Sequence, residues 1–294
     1  MEENTILKEA IYSAKELEKK APKIEGIPSG VKGLDELFFI STIKNGKPEK
    51  QILKGYPRYA IINITGVSDT GKSLMAEQFV IQQASLNHPI LFVTVETTAP
   101  FVVSALKLRA NAMNIEWEKI ENHIILLDAA SYDILREDIN SFLQTLAYIF
   151  KEYKVKYIVI DSITGLYESK EMMARTIVRK IYNFLKKWYI TGIFVSQKRS
   201  GHEEFSAEGA GGYAVPHIVD CNIVLGKKTI QSTYDERIYH LPIGEEIRLF
   251  RIDGCRICGH DVQTHLLFIT DTGLVEIGPT LKELQKNSTK LQKK

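Results

Sequence analysis

The chain has 294 residues, 44% apolar and 25% charged, with a net charge of +2, proportions ordinary for a globular protein and too balanced to argue for nucleic acid alone. No apolar run reaches the ~18 residues of a membrane helix, and the first residues (MEENTILKEA) lack a signal-peptide core, so a cytoplasmic protein with no membrane contact is expected. Three cysteines, an odd number, do not make a secreted disulfide framework.

Residues 1–23 predict a charged amphipathic helix, with Ile6, Leu7, Ala10, Ile11, Ala14 and Leu17 at helical spacing and Pro22 as its stop. Such a helix either packs on its own domain or contacts a partner. The string IPSGVKGLDEL follows at residues 27–37. Residues 38–56, rich in Lys and Gly, predict a hairpin or a long loop.

An apolar, β-branched run (YAIINIT, residues 59–65) then leads into Gly66, Val67, Ser68, Asp69, Thr70, Gly71, Lys72 and Ser73, with Leu74 opening a helical pattern. This octet fits the phosphate-cradling pattern G-x-x-x-x-G-K-[ST], and its strand-to-helix context fits as well. Glycines let the backbone bend around a polyphosphate, while successive N–H groups and the helix N-terminus face the anion. Lys72 is expected to reach the β- and γ-phosphates of ATP, and the Ser73 hydroxyl to sit on Mg²⁺.

Strand and helix alternate from there. Apolar strands are expected at residues 90–95, 123–128, 157–161 and 192–196, and helices from Pro100 to about 113, from Asp133 through Phe150, and over 168–189. Strands apolar on both faces and separated by helices imply a mainly parallel sheet covered on both sides, with ligands at the strands' carboxyl ends. Three polar residues fall at such ends. Asp161 closes YIVID and is the expected metal-holding acid. Glu96 ends the strand at 90–95 and is the expected base for an attacking water, with Glu168 in reserve. Gln197 ends the strand at 192–196.

After about residue 217 the rhythm changes to strands at 217–225, 237–242, 246–252, 264–270 and 274–277, with no long helix between them. These are expected to be antiparallel and to extend one edge of the sheet. Cys255, Cys258, His260 and His265 form C-x₂-C-x-H-x₄-H. That spacing is open to a structural Zn²⁺, a redox pair, or ordinary reduced cysteines. Cys221, inside an apolar strand, reads as core. Residues 281–294 read as a basic tail, which leaves residues 24–280 as the one large domain.

IPSGVKGLDEL, GVSDTGKS and YIVIDS together resemble the KaiC-like branch of the RecA superfamily, including the archaeal-type RadA paralogues, over about residues 26–278. The resemblance implies a RecA-like P-loop core with an antiparallel C-terminal extension. It implies an ATPase whose nucleotide lies between subunits of a ring or filament, commonly a hexamer. Glu96 takes the position of the family's glutamate, where two adjacent glutamates are usual; Glu96-Thr97 leaves one, so slow turnover is expected. Gln197 takes the position of the γ-phosphate sensor. Arg251 matches a basic residue that reaches a neighbouring subunit's ATP. Asp253 stands where a second basic residue is expected, with Arg256 as a substitute. RecA-like recombinases line single-stranded DNA with the loop equivalent to residues 198–205, where Lys198 and Arg199 are opposed by Glu203 and Glu204. A regulatory or recombination-associated oligomer, a DNA-repair module that binds single-stranded DNA with ATP as its switch, and an autokinase are the readings left open. No protein partner is marked.

Overall fold

The computed structural model describes residues 6–198, 215–284 and 286. Its first feature departs from expectation. One amphipathic helix is expected over residues 1–23; among the described residues 6–23 only a 3₁₀ turn (Lys8–Ala10) and the short α1 (Ala14–Glu18) are helical, and neither buries a residue. Ile6, Leu7, Ile11 and Leu17 remain exposed, so the apolar stripe has no face to pack on and gains nothing from continuing. Ser13 and Glu16 form a reciprocal capping box, which restarts the helix there.

The predicted hairpin is present. β1 (Gly26–Ile27) pairs with β4 (Tyr56–Pro57), and between them β2 (Phe38–Lys44) and β3 (Lys47–Ile52) run antiparallel. β5 (Ile61–Gly66) enters the core, and α2 (Lys72–Ser85) leaves it. β6 (Ile90–Thr94), α3 (Ala99–Ala112), α4 (Trp117–Ile120) and β7 (Ile124–Asp128) follow. Then come α5 (Ile134–Glu137), α6 (Ile139–Glu152), β8 (Tyr157–Asp161), α7 (Ala174–Lys187) and β9 (Thr191–Gln197). The carboxyl-terminal part holds β10 (Cys221–Thr229), α8 (Thr233–Tyr239), β11 (Glu246–Cys255), β12 (Gly259–His260), β13 (His265–Ile269) and β14 (Val275–Thr280).

Nine strands make one sheet in the order β14-β13-β11-β10-β5-β9-β8-β6-β7. β10, β5, β9, β8, β6 and β7 are mutually parallel, and β11, β13 and β14 extend the edge antiparallel. The parallel set therefore reaches one strand further than expected: β10 runs with β5. Alternation on each strand divides the core in two. Ile62, Ile64, Phe92 and Val159 pack with α2, α3 and α4, whereas Ile61, Leu91, Val93 and Phe194 pack with α6 and α7. A smaller cluster (Ile230, Ile247, Leu249, Leu266) lies under Tyr239 of α8.

Several boundaries move for local reasons. Asp133 opens only the single-turn α5; Asp138 is the cap of α6, accepting from the N–H groups of Asn140 and Ser141 at 3.0 Å each. Residues 163–173 form 3₁₀ turns rather than the start of α7. A strand expected at 237–242 is largely the capped helix α8, with Ser232 accepting from Asp235 N–H. β7 is half-buried, since it is the sheet's edge.

The IPSGVKGLDEL segment is tied to α2. Gln83 Nε2 donates to Pro28 O at 2.7 Å and Gln78 Nε2 to Gly30 O at 2.9 Å, while Val275 N–H donates to Gln78 Oε1 at 2.6 Å. A second tie is ionic: Glu77 of α2 and Arg109 of α3 pair at 3.1 Å with side chains only 12% and 9% exposed, and Arg109 also donates to Gly273 O. Burial pushes the Glu77 carboxyl up, against the pull of Arg109. Arg109→Met should therefore destabilise the fold by about 3 kcal/mol at neutral pH, by stranding a buried carboxylate. Without its partner Glu77 titrates higher still in the folded chain than unfolded, so the deficit should shrink as pH falls towards the unfolded carboxyl value and grow as pH rises. Urea unfolding at pH 5 and 8 measures both.

Candidate functional site

Parallel register brings the polar strand ends together. Gly66 of β5 lies beside Gln197 of β9, Asp161 of β8 beside Val195 of β9, and Thr94 of β6 beside Asp161. Gly66, Gln197, Asp161 and, two residues past β6, Glu96 thus line one rim of the sheet.

The turn from Gly66 to Lys72 is built from backbone constraints. A Cβ on Gly66 would lie 2.5 Å from Leu225 O of the adjacent β10, so no other residue fits. Gly71 has φ of +94° and caps α2; Asp69 has φ of +61°. Thr70 is buried and its hydroxyl donates to Val67 O at 2.9 Å. Lys72 is buried as well, with Nζ donating to Val67 O at 2.7 Å. Burial lowers the Lys72 ammonium, and the charges of Asp161, Glu96 and Asp69 oppose that shift. Lys72 is the first residue of α2, so the helix N-terminus points into the same turn.

Across the rim, the Ser73 hydroxyl is close enough to the Asp161 carboxylate to hold its pKa down. Burial, with Glu96 and Glu77 nearby, pushes Asp161 up to about 6 despite Ser73 and Lys72. A hydroxyl and a carboxylate, both hard oxygen donors, fit Mg²⁺, which takes one or two protein ligands and completes its shell with phosphate and water. A cation at that position would offset both the burial of this carboxylate and the negative charge of Glu96 and Glu77 beside it.

Glu96 and Gln197 meet directly. Gln197 Nε2 donates to Glu96 Oε1 at 2.8 Å, and the Ser162 hydroxyl donates to the same oxygen at 2.5 Å. Glu96 is otherwise exposed. Glu168 is exposed on a 3₁₀ segment and joins no hydrogen bond to this rim. Arg251 sits on β11 and pairs with Asp253 at 2.6 Å; Arg256 donates to His217 O at 2.7 Å. Neither is brought to Lys72 within the chain. Of the 198–205 loop only Lys198 is among the described residues, and Arg199 through Phe205 lie outside them.

The expected zinc ligands of the cysteine cluster are not brought together among the described residues. Cys221 and Cys255 face each other across β10 and β11 as a disulfide, so Cys221 is core, yet paired, and Cys255 has no thiolate to offer. The Cys258 sulfur is 3.7 Å from that of Cys255. His260 is on β12 against β2, while His265 is on β13 with Nδ1 against Gly278 O at 3.1 Å. Among the described residues no three His, Cys, Asp or Glu side chains are grouped to hold a metal ion.

Sequence reasoning missed three contributors. Ser162 follows the strand-end acid, and only the fold reveals that it reaches Glu96. Arg248 of β11 donates to Asp69 O at 3.0 Å through Nε and to Asp69 Oδ2 at 2.8 Å through Nη2, and Lys227 of β10 reaches the same carboxylate at 3.3 Å. These two cations hold the Asp69 carboxyl below its usual range, and they pin the turn from 179 and 158 residues away. No local pattern marks either one. With Asp69 largely exposed the latch is worth about 1 kcal/mol, so Arg248→Ala should speed amide exchange across residues 67–71 roughly fivefold while leaving the melting temperature nearly unchanged. Hydrogen–deuterium exchange read by mass spectrometry checks this.

The comparisons agree with one another. A UPF0273 protein of Pyrococcus furiosus is 25% identical over 268 residues, covering 86% of this chain and 94% of that one. A UPF0273 protein of Thermotoga maritima is 26% identical over 264 residues, covering 86% and 96%. The circadian clock oscillator protein KaiC of Thermosynechococcus vestitus is 23% identical over 270 residues, covering 82% of this chain but 47% of KaiC. The crystal structure of a KaiC-like protein from Pyrococcus horikoshii superposes with a TM-score of 0.64 at 22% identity, covering 87% of this chain and all of that one, and so shows the same fold. The family described as "ATPase: KaiC" matches residues 27–282, nearly the whole described chain, and on the strength of that match this protein belongs to the KaiC ATPase family.

Proposed function

We propose that the chain binds ATP with Mg²⁺ at the rim formed by residues 66–74, 96, 161 and 197, and hydrolyses it slowly. The observation that carries this is the meeting of the phosphate-loop turn, the Ser73–Asp161 pair and the Glu96–Gln197 hydrogen bond at one end of a parallel sheet. Mg²⁺, when bound by Ser73 and Asp161, neutralises charge on the β- and γ-phosphates. The N–H groups of residues 68–74 bind the phosphate tail. Lys72 exchanges its bond to Val67 O for the phosphate oxygens, to which its buried ammonium is more strongly drawn than it would be in water. Glu96 orients the attacking water and takes its proton, and Ser162 and Gln197 fix which carboxylate oxygen faces it. Gln197 touches the base and begins the segment after β9, so it is placed to relay the state of the γ-phosphate into that segment.

Arg251 does not reach its own subunit's Lys72 and would serve a neighbour's nucleotide, in a homo-oligomeric ring or filament, expected to be a hexamer. Such a trans-acting cation can be worth ~10³-fold in rate. The Arg251–Asp253 ion pair would have to open for that role. The biological setting we favour is a regulatory or recombination-associated oligomer.

Two variants separate binding from chemistry. Lys72→Ala should abolish ATP binding in calorimetric titration, and unchanged affinity would remove the case for the site. Glu96→Gln should keep ATP affinity while phosphate release falls roughly 100-fold or more, the usual worth of a positioned base. Wild-type release rates in that variant would reassign the base.

A further inference from the structure

A second recess lies at the opposite end of the same strands. Its volume is about 220 Å³, and Arg58, Tyr59, Lys156, Tyr157, Trp188, Tyr189 and Thr191 line it.

 Tyr59 precedes β5, Tyr157 opens β8 and Thr191 opens β9, so the recess is at their amino-terminal ends. The phosphate-loop rim is at the other end, a strand length of roughly 20 Å away.

The recess is held in shape by backbone ties and ring contacts. Tyr59 and Tyr189 both have left-handed backbones, with φ of +63° and +53°, a conformation that costs a non-glycine residue about 1 kcal/mol or more. Both ends of Tyr59 are tied down. Its N–H donates to Thr191 Oγ1 at 2.8 Å, and its carbonyl accepts from Lys186 Nζ at 2.7 Å. Lys186 is in turn paired with Asp220 at 3.0 Å, and Asp220 also accepts from Ile61 N–H and the Tyr182 hydroxyl, each at 2.8 Å. The rings of Tyr59 and Tyr189 meet edge to face at 5.7 Å, and Trp188 is backed by Phe150 and Phe184. Tyr157 is 1% exposed, and its hydroxyl lies near the Arg58 guanidinium without a well-formed hydrogen bond. Arg58 stands 5.6 Å from the Tyr59 ring and is paired with Glu25 at 2.7 Å; Lys156 is exposed at the rim. Strained aromatic walls, a buried hydroxyl in want of a partner and a rim of two cations describe a site for a planar ring that carries an anion.

We propose that this recess binds one mononucleotide unit, its base against Tyr59, Tyr189 and Trp188 and its phosphate between Lys156 and Arg58. The size favours one ring with its phosphate over a whole nucleoside triphosphate, since pockets for larger ligands exceed about 300 Å³. The unit comes either free or as the phosphorylated end of a single strand, since both present the same chemistry. The site shares no residue with the phosphate-loop rim, so it stands or falls separately from the ATPase reading.

Only two tryptophans occur in the chain, so Trp117→Phe leaves Trp188 as the sole indole reporter. In that background, with Lys72→Ala to silence the phosphate loop, AMP and a 5′-phosphorylated oligothymidine are titrated separately, with inorganic phosphate as control. Saturable quenching of Trp188 by AMP identifies the free nucleotide, and quenching by the oligomer alone identifies a strand end. Lys156→Glu, at an exposed position, should weaken either response tenfold or more, the worth of one charge-assisted hydrogen bond. Tyr189→Gly, which removes a ring while keeping the left-handed backbone, should do the same. Absence of quenching by both ligands, or quenching unaltered in both variants, overturns the proposal.

Discussion

Everything at the phosphate-loop rim depends on how closely β5 and β10 approach at Gly66. The 2.5 Å that separates a hypothetical Cβ from Leu225 O is a backbone-to-backbone limit, which no rotamer change relieves. Because β10 is pressed against the phosphate-loop turn, Lys227 on it, and Arg248 on the neighbouring β11, come within reach of Asp69. The antiparallel edge is thus more than an extension of the sheet. Its first strand, β11, supplies Arg248, which joins Lys227 of β10 on Asp69, the turn's one acidic residue, whose backbone is left-handed.

The second organising contact is a single oxygen, Glu96 Oε1, which accepts from Gln197 and Ser162. Three strands meet in it: Glu96 follows β6, Ser162 follows β8 and Gln197 ends β9. A carboxylate held from two sides loses little rotamer freedom when it takes up a water, which is the economy of a preorganised site. The same contact ties Glu96 to the last residue of β9.

The hairpin of β2 and β3 and the cysteine turn belong to one local structure. β12 pairs with β2, and the chain reaches β12 directly from Cys255 through Cys258. What the spacing of Cys255, Cys258, His260 and His265 suggests as a ligand set is dispersed in space, because His260 and His265 lie on strands of different sheets. Cys221, remote in sequence, is the partner that Cys255 meets. Spacing motifs assume that the residues stay local, and strand pairing broke that assumption here.

Much was legible in the chain itself. Short-range geometry determined the start of α2, since Gly71 is left-handed, whereas the need for Gly at 66 comes from Leu225 O on the neighbouring strand. Hydrophobic period determined the buried parallel strands and the amphipathic α6 and α7. The strand-end positions of Glu96, Asp161 and Gln197 followed from where apolar runs stop. Other features were decided only by tertiary structure. Over the described residues 6–23 the helical stripe is exposed, and only the short turns at Lys8–Ala10 and Ala14–Glu18 are helical. Asp133 and Asp138 are equally good caps by type, and packing of Phe142 and Leu146 chose the second. Arg248, Lys227 and Ser162 act across strand pairs, and the amino-terminal recess gathers Tyr59, Tyr157 and Tyr189 from three separate strand entrances. Local sequence carries the energy of a turn or a buried strand, because those terms depend on neighbours a few residues away. It carries no term for a contact between residues more than a hundred positions apart, which exists only once the sheet order has closed the distance.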